Sequence, residues 1–201
     1  MNIAVIFAGG VGKRMGQTDK PKQFMEVAEK PIIIHTLEIF EKNENIDKII
    51  IASLREWIDY LQDLLKKYNI TKVEKIVPGG ETGQMSIFNG IKAAKELYPE
   101  DSVVLIHDGV RPFIDDELIN TNIKSVLENG SAISSVLATE TFTIVDEKNN
   151  IQNIPERKKS LIAKAPQSFY LKDIYNAHIK AQSEGKYEFI DSCTMMYYYN
   201  Y

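Results

Sequence analysis

Apolar positions along this chain follow two alternating periods. Short, nearly unbroken apolar runs give way to stretches with helical spacing. Ala4-Val5-Ile6-Phe7 reads as a buried strand. Ile33, Ile34, Leu37 and Phe40 then recur at helical spacing over 31–42, with Pro31 suited to a first helical turn. Residues 47–52 form a second buried strand, and 55–68 a helix with Trp57, Ile58, Leu61, Leu64 and Leu65 on one side. A strand over 73–77 ends at Pro78-Gly79-Gly80. A helix over 84–97 turns Ile87, Ile91, Ala94 and Leu97 inward. The run 102–107 is almost wholly apolar, as at the centre of a parallel sheet. Asp115 caps a helix that reaches Glu128 and stops at Gly130, and 132–138 is the next strand.

This order predicts an α/β fold: a doubly wound, mostly parallel, Rossmann-like sheet in a single domain over 1–201. After Ala138 the pattern changes. Short β pieces at 141–145, 151–154 and 168–170, with a polar turn over 147–150, predict a β-arm excursion over 139–170. An ordinary surface meander fits the same residues. A helix over 171–185 carries Ile174, Ala177 and Ala181 inward, and Asp191 caps a last helix through Tyr199. The run Tyr197-Tyr198-Tyr199 reads as core and interface packing.

The composition suits one core and narrows the partners. The chain has 201 residues, 44% hydrophobic and 26% charged. A net charge of -4 argues against general nucleic-acid binding. The single cysteine, Cys193, excludes an internal disulfide and fits a reducing compartment. No leader and no long apolar stretch is visible, so a cytoplasmic protein without a membrane span is expected.

The first candidate chemistry lies where the first strand ends. Ala8-Gly9-Gly10-Val11-Gly12-Lys13-Arg14 is a glycine-rich basic loop, followed by Lys20-Pro21-Lys22. Glycines let successive N–H groups approach an anion, and the cations offset its charge. The loop is neither of the two commonest phosphate motifs. Arg14 follows Gly12-Lys13 where a Walker loop needs Ser or Thr, and Met15 stands where the dinucleotide fingerprint needs its third glycine. A glycine turn with a solvated basic rim is the plain alternative.

Two more loops fall at predicted strand ends. Gly79-Gly80-Glu81, ahead of a helix with Ser86, can read a base and ribose, or be a plain helix entry. His107-Asp108-Gly109-Val110-Arg111-Pro112 puts a carboxylate at the end of the most apolar strand. Asp108 suits Mg²⁺ beside a triphosphate, and Arg111 suits bidentate phosphate contact. The alternative is a structural Asp108–Arg111 ion pair. His107 reads as a core histidine.

Taken together, Ala8 to Met15, Pro21-Lys22-Gln23, Pro78-Gly79-Gly80, Ile106 to Pro112 and Pro166-Gln167-Ser168-Phe169 resemble the cytidylyltransferase family that contains the methylerythritol phosphate and ribitol phosphate enzymes. The resemblance implies a nucleotide-diphospho-sugar transferase type of fold. It also implies CMP transfer from CTP to a small polyol phosphate, with Mg²⁺ and release of pyrophosphate. By resemblance Ala8, Gly9, Gly10, Gly12 and Lys13 form the nucleotide loop, and Arg14 and Lys22 the catalytic pair. Gly80, Glu81 and Ser86 contact cytosine and ribose. Asp108 serves nucleotide and metal, and Arg111, Thr141 and Arg157 hold the acceptor's phosphate. A homodimer with exchanged arms is implied too.

The chain departs from the family at Gly83, usually arginine, at Glu140 before Thr141, usually aspartate, and at Ala165, usually threonine. Family members also continue past the position of Tyr201 through a strand that helps close the site. The expected acceptor is an alditol phosphate, ribitol 5-phosphate first, for a surface polymer such as teichoic acid or capsule. Methylerythritol phosphate, and a non-catalytic nucleotide-binding role, are the alternatives.

Overall fold

A computed structural model describes residues 1–10 and 20–201. Its centre is a six-stranded sheet built from β1 (Asn2–Ala8), β4 (Lys48–Ser53), β5 (Val73–Pro78), β6 (Val103–Asp108), β7 (Ser131–Leu137) and β10 (Leu161–Tyr170). The strand order is β5-β4-β1-β6-β10-β7. β5, β4, β1 and β6 are mutually parallel, and β10 runs antiparallel to both β6 and β7. Helices α1 (Ile32–Lys42), α2 (Ile58–Lys67), α3 (Gly83–Leu97), α4 (Asp116–Asn129), α5 (Leu171–Ser183) and α6 (Ser192–Tyr198) flank it. Two small pairings complete the described strands: β2 (Glu26–Val27) with β3 (Lys30–Pro31), and β8 (Ile144–Val145) with β9 (Ile151–Asn153).

The predicted doubly wound sheet is present, and strand alternation explains it. Successive side chains on a strand point to opposite faces. On β1, Ala4, Ile6 and Ala8 join one core with Leu37, Leu61 and Ile119 from α1, α2 and α4. Ile3 and Val5 point the other way, into a second core with Ile91, Ile174 and Met195 from α3, α5 and α6. β4 and β6 divide their residues in the same way, so the central strands are buried on both sides.

The predicted caps are present. The Asp115 carboxylate accepts from Leu118 N–H at 2.8 Å, and Asp191 does the same for Thr194 N–H at 2.8 Å. Gly130 closes α4 in the left-handed region, with φ of 88°. Among the described residues no helix is long and apolar enough to cross a membrane.

Three expectations need correction. The arm does not extend to residue 170. β10 begins at Leu161, and its later residues sit inside the main sheet between β6 and β7. The protruding part is the β8–β9 hairpin and the segments beside it. Leu97 is 45% exposed, because Tyr98, one residue further round the helix end, takes the inward place. Of the tyrosine run only Tyr199 is buried.

Candidate active site

β1, β5 and β6 end at the same edge of the sheet, so the loops that follow them meet. Gly79 N–H donates to Ser53 O at 2.7 Å, and Gly109 N–H donates to Phe7 O at 3.0 Å. Gly109 O accepts from the buried Thr36 hydroxyl of α1 at 3.1 Å. The first and second loops touch: a methyl group on Gly9 would lie 2.9 Å from Ser86 Oγ and 3.6 Å from Gly79 Cα. Of the first loop's expected residues, Ala8 is buried, Gly9 is half-buried and Gly10 is exposed. Gly12, Lys13 and Arg14 lie outside the described residues.

Lys22 is exposed at the start of a single 3-10 turn, Lys22–Phe24. Its neighbour Gln23 is buried and donates its side-chain N–H to Ala8 O at 2.7 Å. Phe24 stacks on Trp57 at 4.9 Å between ring centres. These two side chains root the turn beside the end of β1.

At the second loop, Thr82 caps α3, its hydroxyl accepting from Met85 N–H at 3.1 Å. Ser86 faces inward. Its hydroxyl accepts from Gly80 N–H at 3.0 Å and donates to Thr82 O at 3.0 Å. The serine thus braces the loop from beneath. Gly80 is half-buried and Glu81 is exposed.

The third loop holds Asp108 and Arg111. Arg111 Nε lies 2.5 Å from Asp108 Oδ2, so the structural ion pair is formed, between side chains that are partly open to solvent. Such a pair contributes little to stability and can be exchanged for another partner. His107 is buried, and its Nε2 meets Arg111 O at 3.0 Å. A carbonyl only accepts, so Nε2 carries the proton. Burial pushes the His107 pKa down, which keeps the ring neutral.

Asp108 and Arg111 line a cavity of about 520 Å³. Its other walls come from β10 (Ala163, Lys164, Ala165, Gln167), from the start of α3, and from Glu188 to Ser192 before and in α6. Gln167 ties two of these walls together: its N–H donates to Asp191 Oδ2 at 3.2 Å, and its oxygen accepts from Cys193 N–H at 2.8 Å. His178 closes the cavity from α5, buried and with neither ring nitrogen hydrogen-bonded. Burial depresses its pKa to about 3.

Thr141 and Arg157 are not brought to this cavity. Both are exposed on the arm, and Arg157 Nη1 donates to Thr139 O at 3.4 Å. The sequence reading missed Gln84, His178 and the 188–192 wall. Gln84 and His178 lie on helices whose spacing carries only a packing signal, and residues 188–191 lie in the connection between α5 and α6, where no spacing marks them.

A carboxylate suited to Mg²⁺ stands at the right place. Mg²⁺ keeps much of its water and needs one or two protein carboxylates beside substrate phosphates. Asp108 lines the cavity at a strand end, and no cluster of three His, Cys, Asp or Glu occurs among the described residues. A lone aspartate fits a metal delivered with a nucleotide.

The chain has relatives with named activities. It is 54% identical over 200 residues to ribitol-5-phosphate cytidylyltransferase of Streptococcus agalactiae serotype III, covering 100% of this chain and 84% of that protein. It is 39% identical over 185 residues to 2-C-methyl-D-erythritol 4-phosphate cytidylyltransferase of Clostridium botulinum, covering 92% of this chain and 79% of that one. A crystal structure of 4-diphosphocytidyl-2C-methyl-D-erythritol synthase from Anaerococcus prevotii superimposes with a TM-score of 0.84 at 29% identity, over 99% of this chain and 82% of that one. The family model for 2-C-methyl-D-erythritol 4-phosphate cytidylyltransferase matches residues 2–198, and the chain belongs to that family.

Proposed function

We propose that this protein transfers CMP from CTP to ribitol 5-phosphate, giving CDP-ribitol and pyrophosphate. The observation that carries this reading is the 54% identity, over the whole chain, to a protein named for that reaction. The proteins named for methylerythritol phosphate stand at 39%.

The acceptor's phosphate oxygen attacks the α-phosphorus of CTP in line. A new P–O bond forms, the bond to the β-phosphate oxygen breaks, and the electron pair leaves with pyrophosphate. The protein's work is positioning and charge stabilisation. The loops at Gly9 and Gly80 hold the nucleotide, and Lys22 and Arg14 stabilise charge on the transferring phosphoryl group. Asp108 would hold Mg²⁺, which would supply charge neutralisation at the phosphates. Arg111 leaves Asp108 to take the acceptor's phosphate.

Thr141 and Arg157 complete that phosphate site from the arm of a second subunit. Exposed Phe142, Ile144, Val145, Ile151, Ile154 and Leu161 on and beside the arm support such a dimer. The reaction is placed in the cytoplasm, where CTP is made, and its product feeds a surface polymer such as teichoic acid or capsule.

The test is incubation with Mg²⁺, CTP and ribitol 5-phosphate, with the product identified by mass. CDP-ribitol from the wild type, and a loss of most turnover in Lys22→Ala with CTP affinity kept within about threefold, support the reading. CTP binding without product from any polyol phosphate overturns it in favour of a nucleotide-binding protein.

A further inference from the structure

We infer that Gln84 is a positioning residue that couples the nucleotide loop to the wall of the acceptor cavity. Gln84 is the second residue of α3, directly after the Gly80–Thr82 loop, and it is buried. Its side-chain oxygen accepts from Phe189 N–H at 2.8 Å. Its nitrogen donates to Lys186 O at 3.0 Å and meets Met195 Sδ at 3.8 Å. All three partners are more than a hundred positions away along the chain.

Gln84 lines the cavity, so a ligand contact is the obvious alternative role. The hydrogen bonds decide against it. Both ends of the amide are already engaged by the 186–189 backbone, and breaking buried bonds of this kind is costly. Thr82 adds a parallel strap: its hydroxyl donates to Tyr187 O at 2.9 Å. Three backbone positions beyond the end of α5, Lys186, Tyr187 and Phe189, are therefore held by the start of α3.

The consequence concerns the acceptor. Glu188, Phe189, Ile190 and Asp191 form one wall of the cavity that also holds Asp108 and Arg111. The same α3 residues that hold this wall directly follow the loop assigned to the nucleotide. Filling the nucleotide loop fixes the start of α3, and Gln84 transmits that order to the wall. The acceptor then meets a formed cavity. The identities of the loop as the nucleotide's and of the cavity as the acceptor's rest on the proposed function; the hydrogen-bonded link between them does not.

Hydrogen exchange with CTP as the only ligand tests the coupling. In the wild type CTP should slow exchange in 80–86 and also in 185–191. In Gln84→Met, similar in size but without the amide, the slowing should be confined to 80–86. Steady-state kinetics should show an acceptor KM raised about tenfold, with a smaller change in kcat and in the KM for CTP. Gln84→Glu, which keeps acceptance from Phe189 and loses donation to Lys186, should move the same quantities in the same direction. Undiminished slowing of 185–191 in Gln84→Met, or slowing confined to 80–86 in the wild type, overturns the inference. A wild type that turns over no polyol phosphate overturns the proposed function instead, while the exchange pattern still decides the coupling.

Discussion

The side-chain amide of Gln23 donates to the backbone carbonyl of Ala8 at 2.7 Å, inside the protein. This bond joins the turn that carries Lys22 to the strand end that opens the glycine-rich loop. Lys22 itself is exposed, so its placement depends on its buried neighbour. Gln23→Met keeps the volume and removes the donor. It should lower kcat by roughly tenfold while the KM for CTP changes less, because the loss falls on the transition state. Steady-state kinetics over a range of CTP concentrations checks this.

Gly80 has no room for a side chain. A Cβ there would lie 2.4 Å from Met85 Cβ and 2.9 Å from the Met85 carbonyl carbon. Gly80→Ala must therefore push the loop off the start of α3, at a cost of about 1–3 kcal/mol. It would also break the Gly80 N–H bond to Ser86. The expected result is CTP affinity weakened by about tenfold or more, measured by calorimetry.

Arg111 pairs with Asp108, the carboxylate that the proposed function also gives to Mg²⁺. Arg111→Met removes the ion pair and the expected phosphate contact together. The acceptor KM should rise by roughly one to two orders of magnitude, the cost of a charge-assisted bidentate contact. Affinity for CTP with Mg²⁺ should not fall, since Asp108 is released. Calorimetry with nucleotide and metal, beside acceptor kinetics, separates the two effects.

His178 predicts an acid-sensitive fold. Burial lowers its pKa from 6.5 to about 3, so the unfolded chain binds a proton that the folded chain refuses. Stability is therefore fully present above the unfolded value and declines as pH falls from 6.5 towards 3. The slope is up to about 1.4 kcal/mol per pH unit from this group. His178→Leu should flatten that part of the curve and leave neutral-pH stability equal or higher, since two unpaired buried nitrogens are removed. Urea unfolding at several pH values measures it.

Much of the fold was legible because local pattern and burial agree. Ile49, Ile50 and Ile51 read as a strand buried on both faces, and they divide between the two cores. The meeting of the loops at Gly9, Gly80 and Asp108 followed from the rule that such sites form at the carboxyl ends of parallel strands. β10 was legible only at its end. Residues 161–164 are largely exposed and mix charge with apolar positions, so no alternation marks them. Their pairing with residues 135–137 of β7 is a tertiary matter. Ser86 was marked by its place after Gly79-Gly80, and its hydroxyl braces Gly80. His178 was hidden because Ile174, Ala177 and Ala181 around it give an ordinary inward helix face.

The central claim concerns the acceptor, and one competition assay tests it most directly. Ribitol 5-phosphate and methylerythritol 4-phosphate are offered together with limiting CTP and Mg²⁺, and both CDP products are counted. CDP-ribitol is expected in large excess. A predominance of the methylerythritol product would contradict it and move the chain to the reaction for which its family is named.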